Sequence, residues 1–225
     1  MLDALSSCHE KGVIHRALSP SNVLMVPEDL RPRLIDFGLC QIENGTAITL
    51  LDEGVGTPTY MAPECEAGAD GTIGPTADIY SVGKLLWAAL FNQNVFSREA
   101  PAFQGKSPSR MMPHEEAAWH LHHVFAVTIR HDPANRVQDV TGAISVCRNV
   151  LRLIEGGYMP LEQLAKGVCP HCGYGEMADF EQGHSVFGNP NPRGVVSVQC
   201  NHCGYSAPVN FERAREILRQ RSELA

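Results

Sequence analysis

No apolar run in this 225-residue chain approaches the roughly 20 residues that a membrane-spanning helix needs. A helical span is therefore excluded within it. Positive charge is short: 18 Lys and Arg stand against 25 Asp and Glu, a formal net charge of −7 at pH 7. That balance excludes attraction to nucleic acid or anionic membrane through overall charge and leaves only local basic patches. The first residues lack a basic segment followed by an apolar core, so no signal peptide is expected. There is no low-complexity segment. What is present is the mix of a packed globular protein, 44% apolar and 19% charged, long enough for one ordinary domain and a small one. The 8 Cys divide into four scattered thiols (Cys8, Cys40, Cys65, Cys147) and two C-x-x-C pairs. This is not a secreted disulfide framework, and a reducing, cytoplasmic setting is expected.

Periodicity gives the coarse organisation. Met1–Gly12 is amphipathic, with Leu2, Leu5 and Cys8 three apart and Gly12 as a helix stop. Val23–Met25 and Arg33–Ile35 read as short strands around a turn at 27–32. Residues 39–56 read as loop. Thr76–Phe91 is apolar on nearly every face and predicts a helix in the middle of a domain. Residues 92–113, with three prolines, read as loop with one short helix. Two further amphipathic helices are predicted, Glu115–Arg130 and Asp139–Ile154. The second carries a stripe of Val140, Ile144, Cys147, Val150, Leu151 and Ile154, ended by Gly156 and Gly157.

Five segments in order carry a family resemblance. His15-Arg16-Ala17-Leu18-Ser19-Pro20-Ser21-Asn22 resembles the protein-kinase catalytic loop H-R-D-L-K-P-x-N. Asp36-Phe37-Gly38 matches D-F-G, and Gly56–Glu64 matches the end of the activation segment. Asp78–Gly83 is similar to the start of the central helix, and Asp132-Pro133-Ala134-Asn135-Arg136 to a late D-P-x-x-R. Together they resemble the C-terminal lobe of Ser/Thr protein kinases over about residues 1–155. The resemblance implies that Asn22 and Asp36 hold magnesium bridging nucleotide phosphates. It also implies a Glu64–Arg136 ion pair, Asp78 accepting N–H groups of the catalytic loop, and His15 packed near the D-F-G. Asn22 and Asp36 also fit local roles, as a turn cap and a local hydrogen-bond acceptor.

The chemistry departs from that pattern. Ala17 stands where the family's Asp accepts the substrate proton, and Ser19 where a Lys sits beside the transferred phosphate. No catalytic residue of the loop is intact. A positioned base is worth about 10²–10⁴-fold, so its loss alone does not abolish transfer. Nothing before residue 15 resembles the Gly-rich loop, strand Lys or helix Glu of an N-terminal lobe. That lobe is expected either upstream or from a separate partner, and the surface that faces it is expected to be an exposed apolar patch. Glu53, three residues before Gly56, occupies a place where related kinases carry a phosphorylated Thr, and Arg16 is the residue that grips such a phosphate. Glu53 therefore reads either as a dock for Arg16 or as a solvated charge beside Asp52. Thr46 and Thr49 are candidate phosphosites in the same stretch.

Cys169-Pro170-His171-Cys172-Gly173 and Cys200-Asn201-His202-Cys203-Gly204 have zinc-knuckle spacing. Two residues between thiols let one tight turn aim both sulfurs at one ion, and the Gly tolerates the positive φ that such a turn needs. The 27 residues 173–199 suit a β-hairpin, with Val195–Gln199 the clearest strand. The segment resembles a zinc ribbon with rubredoxin-type knuckles, and a structural Zn²⁺ on Cys169, Cys172, Cys200 and Cys203 is expected. Iron or two redox disulfides are the alternatives. His171, His184 and His202 read as surface residues. Four protein ligands leave no open position, so no metal catalysis is expected. Phe211–Leu224 reads as a charged tail helix, with Arg213, Arg215, Arg219 and Arg221 interleaved with acids.

The expected fold is α+β: a mostly helical kinase-like C-lobe at 1–155, a linker at 156–166, a small β zinc ribbon at 167–210 and a C-terminal helix at 211–225. The expected function is a pseudokinase-type interaction or regulatory module with a protein partner. The alternatives are a Ser/Thr kinase using Mg²⁺ and ATP, and a zinc module contacting nucleic acid.

Overall fold

In the computed structural model the first segment with helical spacing forms α1, Leu2–His9, with Leu5 facing inward and Gly12 (φ 69°) turning the chain away. The structure describes residues 1–29, 31–38, 40–42, 59–65, 73–93, 108–112, 114–157, 180–182, 195–199, 206–210 and 219. The four paired cysteines, Glu53, Thr46, Thr49, most of the 156–166 linker and, apart from Arg219, the tail helix lie outside them. Cys8, Cys40, Cys65 and Cys147 are free thiols.

Strand β1, Val13–Ile14, leads into the His15–Asn22 segment. Strands β2, Val23–Met25, and β3, Pro32–Leu34, form an antiparallel hairpin with Val23 opposite Leu34. β4, Gln41–Ile42, pairs antiparallel with β1 and places Val13 opposite Ile42. This is a strand within the stretch read from sequence as loop. Two residues are too few to show alternation, so the pairing has no local signature.

Helix α2, Pro75–Phe91, starts with Pro at the first helical turn, where a missing N–H costs nothing, and ends at Asn92 in the left-handed region (φ 47°). Its residues from Thr76 to Lys84 are all buried. The expectation of burial on every face fails at the C-terminal end, where Leu90 is 39% exposed. Close packing sets in at Gly83, where a Cβ would lie 2.4 Å from Thr128 Oγ1.

The short helix α3, Pro108–Met111, falls in the proline-rich stretch. The helix expected over 115–130 is split: Glu116–His120 is a 3-10 turn and α4 is Leu121–Thr128. α5, Val140–Glu155, buries Val140, Ala143, Val150 and Leu153. Leu151, expected in that stripe, is 52% exposed, because it lies about 100° around the helix from Val150.

The chain divides into two compact units. One comprises Met1–Pro101 and Val127–Val146, and it contains an apolar cluster of Leu5, Leu18, Val82 and Val140. The other comprises Ala102–Ala126 and Cys147–Ala225. Here β5, Phe180–Gln182, β6, Val195–Gln199, and β7, Ser206–Asn210, form an antiparallel sheet in the order β5-β6-β7. The architecture is mostly helical with small antiparallel sheets, compatible with α+β. No helix among the described residues is long and apolar enough to cross a membrane.

Candidate functional site

Asp78, in the first turn of α2, is fully buried and organises the His15–Asn22 segment. Its Oδ2 accepts the His15 backbone N–H and its Oδ1 the Arg16 N–H, both at 2.8 Å. His9 Nε2, from α1, lies 2.8 Å from Oδ2. A carboxylate only accepts, so His9 carries its proton on Nε2. These bonds hold Arg16 at a φ of 65°, a conformation that a bulky L-residue adopts at a cost.

His15 Nε2 donates to the Ile35 carbonyl at 3.2 Å, and its ring lies 4.7 Å from the Phe37 ring, tilted by 50°. His15 is thus tied both to α2 and to the Asp36-Phe37-Gly38 turn. Asn22 Nδ2 donates to the Ala17 carbonyl at 2.7 Å, and the Ile35 N–H donates to the Asn22 carbonyl at 3.0 Å. The segment and the turn are therefore laced together through main-chain atoms. Ser19 is buried, and its hydroxyl lies 2.8 Å from that of Ser21.

Asp36 is exposed, with φ 60°, and its Oδ1 accepts the Gly38 N–H at 3.2 Å. Its second carboxylate oxygen has no hydrogen bond among the described residues, and the Asn22 amide oxygen accepts from the Ser21 hydroxyl at a long 3.4 Å. A carboxylate and an amide oxygen suit a hard divalent cation, which prefers oxygen ligands and keeps several waters. Among the described residues no group of three or more His, Cys, Asp or Glu is placed to hold a metal ion. Around this turn Leu24, Met25, Ile35 and Phe37 are large apolar side chains with more than a third of their surface exposed.

Arg136 is positioned by its own local sequence. Asp132 accepts the Ala134 N–H and the Asn135 side-chain amide, capping a 3-10 turn at Pro133–Asn135. Arg136 follows that turn and is almost fully buried. Its Nη1 donates to Glu64 Oε1 at 2.5 Å and its Nη2 to Glu64 Oε2 at 2.8 Å. The Arg130, His131 and Thr76 carbonyls take the remaining three N–H groups. All five guanidinium donors are used. The guanidinium also sits 4.9 Å from the centre of the Tyr80 ring.

Arg16 is buried, and its Nε has no hydrogen-bond partner among the described residues. The neighbouring Cys65 thiol is pushed up to about 12, first by burial and then by the Glu64 carboxylate, while the positive charge of Arg16 pulls the other way. Sequence reasoning missed His9 as a partner of Asp78, and Tyr80 under Arg136. His9 lies 69 residues from Asp78, and its only local sign was a polar residue on the inner side of an amphipathic helix.

The protein kinase domain family model matches residues 1–145. The serine/threonine-protein kinase AfsK of Streptomyces coelicolor is 38% identical over 106 residues, covering 47% of this chain and 12% of that protein. The serine/threonine-protein kinase pkn3 of Myxococcus xanthus is 30% identical over 151 residues, covering 60% of this chain and 27% of that protein. The mouse serine/threonine-protein kinase MRCK gamma is 31% identical over 162 residues, covering 70% of this chain and 10% of that protein. The matches thus span between a tenth and about a quarter of these relatives' lengths.

Proposed function

We propose a function from the premise that this chain belongs to the protein kinase family: it is an interaction or regulatory module of pseudokinase type. A kinase C-lobe frame in it is joined to a structural zinc ribbon. One observation carries this. The buried carboxylate of Asp78 fixes the main chain at His15 and Arg16, yet the next side chain, at Ala17, is a methyl group that accepts no proton. Ser19 brings no cation, and its hydroxyl is engaged with Ser21. General-base and phosphate-neutralising functions are missing from a loop whose main chain is fully held.

The weaker reading is a Ser/Thr kinase, and the presence of oxygen donors at Asn22 and Asp36 favours it. These two residues would hold magnesium, which when bound neutralises the charge of a nucleotide's phosphates. Asn22 and Asp36 would supply ligands and position them; neither replaces the missing base. Radiolabelled ATP with Mg²⁺ and the full chain separates the two readings. The expected result is no labelled protein product, with or without added substrate peptide. A labelled product that disappears in Asp36→Asn would establish the kinase.

The ribbon rests on the Cys169, Cys172, Cys200 and Cys203 spacing, supported by the hairpin of β5 and β6 between the two pairs. Such a small module lacks a core of its own, so its metal would supply its folding energy. Elemental analysis of the purified chain should return one zinc per molecule. The Cys169→Ser and Cys200→Ser variants should each lose it.

A further inference from the structure

Residues directly opposite each other in an antiparallel ladder share a face of the sheet, and alternate residues along a strand do too. In the β5-β6-β7 sheet the register therefore places Phe180, Val198 and Ala207 on the same face as Val196 and Val209. Gln182 is the one polar member of that set. The opposite face takes Glu181, Ser197, Gln199, Ser206 and Asn210, with Val195 and Pro208. A sheet that is apolar on one face only needs a second layer over that face.

The chain carries a fitting layer directly after the sheet. Phe211 follows Asn210, the last residue of the edge strand β7. At about 100° per helical residue, Phe211, Ala214, Ile217, Leu218 and Leu224 fall within an arc of about 140°. Glu212, Arg215, Glu216, Arg219 and Glu223 fall on the other side. Arg219 is helical and exposed, as that division requires. Arg221 is the one charge inside the apolar arc, a place from which an arginine's long stem lets its charged end reach water. The dimensions agree as well. A helix over Phe211–Leu224 is about 21 Å long, and a five-residue strand about 17 Å.

We propose that Phe211–Leu224 forms a helix laid across the Phe180, Val196, Val198, Ala207 and Val209 face, so that the occupant of this face is the chain's own tail. A segment tethered to the edge strand meets that face at an effective concentration of millimolar order, ahead of a second copy or a separate partner. A helix there also withholds the apolar face from other proteins.

The test is photo-cross-linking in the full chain, with p-benzoylphenylalanine in place of Leu218, and in place of Glu216 as the control. Position 218 should give an intrachain cross-link to a peptide that contains β6 or β7, and position 216 should give none. A cross-link from 218 to another part of the chain or to a second copy, no cross-link at all, or the same cross-link from both positions overturns the proposal. Elemental analysis of the same sample reports the zinc site separately: zinc without this cross-link sinks the docking alone, and the cross-link without zinc sinks the ribbon's metal alone. Amide exchange gives a second measurement. Leu218→Asp should speed exchange in β6 and β7 by about ten- to a hundred-fold, the loss of one buried leucine, while Glu216→Asp leaves it unchanged. Equal exchange in the two variants likewise overturns the proposal.

Discussion

Replacing Arg136 by Met should be among the most damaging single changes available to this chain. Met keeps the length and apolar stem of the side chain and removes five N–H donors. The Glu64 carboxylate, almost fully buried, then has no counter-charge, and the Arg130, His131 and Thr76 carbonyls each lose a donor. Breaking a buried pair by removing one partner costs about 3–5 kcal/mol, because the remaining charge has no solvent to return to. The lost cation over the Tyr80 ring adds about 1 kcal/mol. A total of about 4–6 kcal/mol is a large share of the roughly 5–15 kcal/mol that holds a domain together. For a chain of this size it lowers Tm by about 8–24 °C.

The double variant Arg136→Met/Glu64→Leu decides whether the orphaned charge is the cause. Removing both charges leaves an apolar contact in place of the pair, and replacements of that kind are often close to neutral. The double variant should therefore recover at least about 2 kcal/mol of the loss, a coupling typical of directly bonded partners. Urea unfolding followed through Trp87, which is fully buried in the same helix as Tyr80, is the assay. A single-variant cost under 1 kcal/mol would refute the reasoning. So would a double variant as unstable as the sum of its parts.

Other variants probe the same unit. Asp78→Asn keeps shape but turns one acceptor oxygen into an NH₂ facing a backbone N–H that had been bonded at 2.8 Å; amide exchange at His15 and Arg16 should speed up, at a stability cost of about 2–4 kcal/mol. Unchanged exchange at those two amides would show that α1 and the apolar cluster hold the segment without it. Gly83→Ala drives a methyl to 2.4 Å from Thr128 Oγ1 and should cost about 1–3 kcal/mol in the same unfolding assay, with partial rescue by Thr128→Ala. If zinc fills the paired cysteines, a chelator should abolish the amide protection of β5, β6 and β7 while leaving that of α2 intact.

Much of the fold was legible because its signals are local. The apolar density of 76–91, the prolines at 27 and 32 between the runs of β2 and β3, and the run Val195–Gln199 each need only a short window. What escaped the sequence depends on distant partners. β1 and β4 are two residues each, and they become strands only because they meet across the 26 intervening positions 15–40, Val13 against Ile42 and Ile14 against Gln41. Leu151 belongs by composition to the α5 stripe, but the neighbouring Leu153 is the residue that turns inward. In the site, the placement of Asp78, Glu64 and Arg136 followed from the resemblance. His9 carried no motif, and Tyr80, though inside the Asp78–Gly83 match, had no role assigned to it; both came to light only as neighbours of those three.

The contacts around the His15–Asn22 segment explain how its shape accommodates an Ala at position 17. Asp78 holds the segment by the N–H groups of residues 15 and 16. Asn22 holds it by the carbonyl of residue 17, and Ile35 joins it through the carbonyl of residue 22. Every one of these bonds uses a main-chain atom of the segment, which any side chain at position 17 supplies equally. An Ala there leaves none of these main-chain hydrogen bonds unmade, so they exert no energetic demand for an acid at that position. The shape of this segment resides in Asp78, His9 and Asn22, and it makes no use of the side chain at position 17.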